Sequence, residues 1–167
     1  MNFSKINQYM KKESILEVLG LDPETRIFRI DPWDYESDQL RYIHGEMRRT
    51  PDAHYVVLCY DRAISKIMVY RNRLRHNDHG PAYIYIGHFN TTIMYYKNNI
   101  QHRVDGPASI EIEKGLVFRE RYRICGIMHN RVGPADRMLT TTGWDNVFYL
   151  KGHRVSLDTF VKGLNHE

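Results

Sequence analysis

The sequence predicts a mainly β fold: a repeat sheet of antiparallel β-hairpins, with an N-terminal helical segment and a short C-terminal helix as cap. Three observations predict it. First, one phrase recurs. It reads Tyr70-Arg71-Asn72-Arg73-Leu74-Arg75-His76-Asn77-Asp78-His79-Gly80-Pro81-Ala82, and returns from Tyr96 to Ala108. A weaker copy runs from Cys125 through His129 to Gly133-Pro134-Ala135. His76, His102 and His129 stand 26 and 27 residues apart, and the Gly-Pro-Ala steps keep the same spacing. A fixed period in this range marks a stacked array. Second, short β-rich runs lie between the phrases. Third, the last copy breaks off into a helix signal.

The elements follow in order. Residues from about Ser4 to Leu19 read as a helix, with Ile6, Met10, Ile15, Leu16 and Leu19 near one face and Gly20 as its stop; Ser14 is an alternative cap for a shorter helix. Asp22-Pro23 is a turn, Arg26–Ile30 a strand, and Asp31-Pro32-Trp33-Asp34 its end. Tyr42–Ala53 reads as a degenerate early repeat leading into Tyr55–Tyr60. The runs 66–70, 82–86, 92–96, 108–112 and 116–118 are strands, separated by turn residues at His88-Phe89-Asn90 and Glu113-Lys114-Gly115. In each repeat the strand before His and the strand after Gly-Pro-Ala become antiparallel neighbours. Phe148–Arg154 restarts the phrase; Ser156 then caps a helix whose apolar face is Leu157, Phe160, Val161 and Leu164. That helix serves as a lid on the last hairpin. The expected organisation is 1–40 for the N-terminal segment, 41–155 for the repeats and 156–167 for the cap.

The repeated residues have physical roles. Gly80, Gly106 and Gly133 permit a positive φ or a close backbone approach, which makes Gly106→Val strongly destabilising. Pro81, Pro107 and Pro134 fix φ at a strand entry. Asn72 and Asn98 suit tight turns. His76, His102 and His129 are expected to tie the long turn to backbone carbonyls. A shared metal along this column is excluded by spacing: copies two strands apart are separated by roughly 10 Å, whereas two ligands on one zinc lie about 3–3.5 Å apart.

At 167 residues and 19.9 kDa, with 42% hydrophobic residues, the chain makes one ordered domain. No apolar run approaches the ~20 residues that span a bilayer, and no signal core follows Met1, so a soluble cytoplasmic protein is expected. Cys59 and Cys125 fit no metal or redox spacing and read as two buried, reduced thiols. No nucleophile elbow, phosphate loop, dinucleotide fingerprint or zinc-protease motif is present. A catalytic site would need His44, His54 or His88 to meet Asp31, Asp34 or Glu46 in space. The expectation is no enzyme and no cofactor.

The pattern Tyr-x-Asn-x-x-x-His-x-x-x-Gly-Pro-Ala resembles the degenerate MORN-like repeats of bacteriophages and large DNA viruses. The resemblance spans about Lys66 to Phe160, and reaches back to Tyr42 when the degenerate early repeat is counted. It implies an elongated antiparallel sheet that binds or scaffolds proteins, here as a small effector directed at a host or viral protein. It departs from the standard repeat, since Trp33 and Trp144 lie outside the phrase, and so it implies no membrane-lipid role.

Two surfaces are candidates. The formal charge of +4 allows an anionic partner. Arg71, Arg73 and Arg75 alternate and would share one strand face, extended by Lys97, Arg103, Arg121 and Arg123. That face is a nucleic-acid or acidic-partner site. Tyr85, Tyr95 and Tyr122 are aromatic contacts for a partner. Unpaired outer strands offer a homodimer through sheet edges.

Overall fold

The computed structural model describes residues 10–30 and 38–164. Its centre is one mixed sheet. In chain order the elements are α1 (Lys12–Leu19), β1 (Arg26–Ile30), α2 (Asp38–Arg49), β2 (His54–Asp61), β3 (Ala63–Arg71), β4 (Leu74–Arg75), β5 (Tyr83–Ile86), β6 (Asn90–Met94), β7 (Tyr96–Lys97) and β8 (Ile100–Gln101). They continue with β9 (Ser109–Glu113), β10 (Leu116–Arg121), β11 (Arg123–Ile124), β12 (Ile127–Met128), β13 (Asp136–Thr140), β14 (Gly143–Leu150), β15 (His153–Val155) and α3 (Leu157–Leu164). The strand order is β1-β2-β3-β5-β6-β9-β10-β13-β14-β15.

The expected hairpin ladder is present. β3 pairs with β5, β6 with β9 and β10 with β13, all antiparallel, so the strand before each His neighbours the strand after each Gly-Pro-Ala. Two-stranded turn pieces, β7–β8 and β11–β12, stand off the main sheet. Three corrections concern the N-terminal part. Residues 42–49 are helical, so the expected early repeat is α2 instead. β1 runs parallel to β2, from Arg26↔Tyr55 to Ile30↔Cys59, with α2 between them in the chain. This is a β-α-β unit, the connection parallel strands require. The first helix starts at Lys12 with Lys11 as its cap, and Ser14 lies inside it. The expected residues 4–9 of that helix and the break at 31–34 fall outside the described residues. Gly20 ends α1 as anticipated, at φ 66°, with its N–H donating to Glu17 O and that of Leu21 to Leu16 O.

The two helices cover opposite faces of the same strands. Ile15, Leu16 and Leu19 of α1 pack with Val56, Leu58, Ile67, Val69, Ile84, Ile93 and Ile110. Ile43 and Met47 of α2 pack with Ile30, Tyr55, Val57, Cys59 and Met68. β2 is therefore apolar on both sides, and alternation disappears from its sequence. Each fully buried aliphatic side chain here contributes about 1.5–3 kcal/mol. Burial falls along the array: no residue of β13 or β14 is fully buried. No described helix is long and apolar enough to cross a membrane.

The cap at the far end is narrower than expected. Ser156 Oγ accepts the N–H of Thr159, as the N-cap reading required. Among the described side chains of the expected face Phe160 inserts, its ring 5.0 Å from that of Phe148, while Leu157 and Val161 are about half exposed; the Leu164 side chain lies outside the described ones. Cys59 is buried, but Cys125 is exposed on a turn.

The glycines also correct the sequence reading. None of Gly80, Gly106 and Gly133 has a positive φ. A Cβ on Gly106 would meet only the flexible end of Arg103, and on Gly133 it would reach Asn130 Nδ2 at 3.7 Å. Gly80 is different. A Cβ there would lie 2.4 Å from the carbonyl oxygen of Leu19. The first repeat is thus seated against the end of α1, and Asn77 Nδ2 donates to that same carbonyl at 2.8 Å. Gly80→Ala should lower the thermal midpoint by about 5–10 °C, as overpacking of a fixed backbone does. Gly133→Ala should change stability by about 1 kcal/mol or less. Equal midpoints for the two variants would contradict this seating.

Candidate interaction surface

The phrase builds one side of the sheet into turns and loops. Each copy carries a two-residue turn with both residues at positive φ: Asn72 and Arg73, Asn98 and Asn99, Cys125 and Gly126, Lys151 and Gly152. That is the mirror-image turn whose twist matches flanking strands. Successive turns are bonded to each other. The N–H of Asn99 donates to Arg75 O, that of Gly126 to Gln101 O and that of Gly152 to Met128 O, at 2.8–3.0 Å. The histidines add a second bond in the same direction. His102 Nδ1 accepts the N–H of Cys125 at 3.0 Å, and His129 Nδ1 that of Lys151 at 3.4 Å. His76 Nδ1 meets the N–H of Asn98 at 3.3 Å and its Oδ1 at 2.7 Å. Each imidazole therefore reaches the next repeat's turn rather than carbonyls of its own. Ile100 lies over Gly126, where a Cβ would come 3.2 Å from its Cγ2, and Ile127 lies over Gly152 at 2.9 Å.

The loop from His to Gly-Pro is braced by the residue after His. Asn77 donates to Pro81 O, Arg103 to Pro107 O and Asn130 to Pro134 O. Sequence reasoning missed this column; its signal is a side-chain donor in all three copies. Between successive loops lie two clefts, of about 490 and 470 Å³. They occupy matching places. The first holds Tyr95, Lys97, His102, Arg103, Val104 and Asp105; the second holds Tyr122, Ile124, His129, Asn130, Arg131 and Val132, one repeat on. The first is polar. The second is largely apolar, and its rim carries Val132, 91% exposed, with Val104, 79% exposed, between the two.

The predicted basic face is not one strand. Arg71 ends β3, Arg73 is in the turn and Arg75 is in β4, opposite Tyr70. Most of its charge is already paired. Arg71 and Lys97 meet Asp78, Arg103 meets Asp105, and Arg121 meets Glu111. The bonds from His76 and Arg103 hold the carboxyls of Asp78 and Asp105, respectively, below the usual range. Arg75 lies over the rings of Tyr83 and Tyr96, and Arg123 donates to Gly126 O. Tyr95 is buried, which raises its phenol pKa, and Arg103 covers its ring at 4.0 Å. Tyr85 and Tyr122 are half-buried.

Of the histidines considered for catalysis, His88 is exposed beside Phe89, and Glu46 is taken by Arg26 and Arg49. Asp31 and Asp34 fall outside the described residues. His54 instead approaches His76 and Asp78, the one group among the described residues with three metal-capable side chains in reach of each other.

Scans against protein-family models, curated proteins and solved structures find no match to this chain. The resemblance to MORN-like arrays thus rests on the repeated phrase.

His102→Ala leaves the Cys125 N–H without its acceptor. The expected cost is about 1 kcal/mol, read as roughly fivefold faster amide exchange at Cys125. His88→Ala, at an exposed ring, should leave that rate unchanged. Equal rates in the two variants would remove the histidine from the inter-repeat bond.

Proposed function

We propose that this chain is a non-enzymatic protein-interaction module, and that its repeat loops bind an extended segment of a partner polypeptide. The observation that carries this is the pair of equivalent clefts. They recur at the spacing of two strands, roughly 10 Å, which about three residues of extended chain cover. A segment in the polyproline II conformation, with three residues per turn and about 3.1 Å rise per residue, presents side chains three apart on one face, and these would enter successive clefts. The chemistry is graded: an apolar side chain suits the cleft of Tyr122, Ile124 and Val132, and a polar one suits that of Lys97, His102 and Asp105. Arg131, exposed on the second cleft's rim, has no carboxylate partner among the described residues and favours an acidic neighbour on the segment. On the resemblance to phage and viral arrays, we take the partner to be a host or viral protein met in the cytoplasm.

Nucleic-acid binding has less support, because Arg71, Lys97, Arg103 and Arg121 are satisfied within the fold. The experiment is capture of partners by the tagged chain with and without nuclease, repeated with Val104→Asp and Val132→Asp together. The reading expects a stoichiometric protein that survives nuclease and is lost about tenfold or more in the double variant, whose thermal midpoint stays within about 2 °C because both sites are exposed. Capture that disappears with nuclease would move the function to nucleic acid. Capture indifferent to both valines would sink the cleft reading.

A further inference from the structure

We propose that His54, His76 and Asp78 form a binding site for one divalent transition-metal ion, with zinc the best match. Each offers a ligand atom, and the three atoms lie within 4.8 Å of one another. Two imidazoles and a carboxylate are a donor set that zinc takes readily, leaving a fourth position open. Ligands on one zinc stand about 3–3.5 Å apart, so closure needs side-chain shifts of about 1 Å.

The hydrogen bonds around His76 point the same way. Its Nδ1 is 2.7 Å from Asn98 Oδ1, and its Nε2 is 2.9 Å from Asp78 Oδ2. The backbone N–H of Asn98 also points at Nδ1, at 3.3 Å, so Nδ1 accepts as in the later repeats and Nε2 donates its proton to Asp78. A metal ion would displace that proton and sit between Nε2 and the carboxylate, and the Asn98 contact would fix the ring as outer partners of metal-bound histidines do. Nearby, His54 Nε2 is shut off from solvent and has no hydrogen-bond partner. An orphaned buried nitrogen of this kind calls for an occupant.

The fold does not require this cluster. The turn ladder uses Nδ1 in every repeat and needs no carboxylate at Nε2. At the column of Asp78 the later copies carry Val104 and Arg131. His54 lies outside the repeats, at the start of β2 opposite Arg71. The site thus arises where the β-α-β unit meets the first repeat. His54 also lines an open cleft of about 550 Å³ with Asp52 and His79. Two cations compete for Asp78: Arg71 at 3.2 Å and Lys97 at 3.7 Å. Arg71 has Asp52 at 3.8 Å as a second carboxylate to turn to, and Lys97 is exposed.

The test is calorimetric titration of the metal-free full chain with Zn²⁺ near neutral pH, with Co²⁺ absorbance as a ligand-sensitive readout. His76 also holds the turn ladder, so the deciding variants are His54→Ala and Asp78→Asn, with folding checked by circular dichroism. His102→Ala is the control for adventitious histidine binding. The expected result is one ion per chain, visible Co²⁺ bands, and affinity reduced about tenfold or more in each deciding variant but kept in the control. No saturable binding by the parent overturns the proposal. So does binding that either deciding variant leaves unchanged, because the ion would then sit on other residues.

Discussion

The structure depends on a bond between turns. A two-residue turn at positive φ exposes an amide to its neighbour. In each of the later three turns, that amide donates to a carbonyl of the preceding hairpin, while the preceding histidine takes the adjacent N–H. Two bonds per step fix the offset of one repeat on the next. The period of 26–27 residues is what keeps every turn in reach of the histidine before it. The small β7–β8 and β11–β12 ladders would otherwise be isolated two-residue pairings, too short to persist in water.

The ends of the array are handled differently. At the start, α1 delivers the carbonyl of Leu19 to Asn77 and excludes any side chain at Gly80. α2 covers the other face through Ile43 and Met47. Both helices therefore concentrate on the first strands, and the core of the molecule is there. At the far end, among the described side chains of α3, Phe160 is the one inserted, beside Phe148. The clefts used in the proposed function lie between these ends, on loops braced by their own side-chain bonds to proline carbonyls.

Repetition made much of this legible in the sequence. Three copies of a phrase identified the hairpin strands and their pairing, and the broken-off restart followed by Ser156 marked the helix that ends the array. Non-repeated residues were harder. Tyr42–Arg49 matched the period loosely, and its apolar positions Ile43 and Met47, four apart, were the helical signal that the repeat reading hid. The parallel β1–β2 pair leaves no local mark, because each strand alone reads as an ordinary apolar run. Arg71, Arg73 and Arg75 alternate like one strand face, but Asn72, read as a tight-turn residue, and Arg73 form the turn itself, which breaks that face. His54 could not be joined to His76 and Asp78 by spacing, since sheet pairing alone brings them together.

The decline of burial from β2 to β14 has a consequence for how the chain comes into being. Residues are synthesised from the N-terminus, so the segment with the densest core leaves the ribosome first. Each later hairpin then meets an edge that is already formed and docks on it, one repeat at a time. No hairpin after β3 has to survive alone while its partners are made. The order of translation and the order of assembly coincide, and the thinly buried end, made last, is the part that always has a finished template to grow upon.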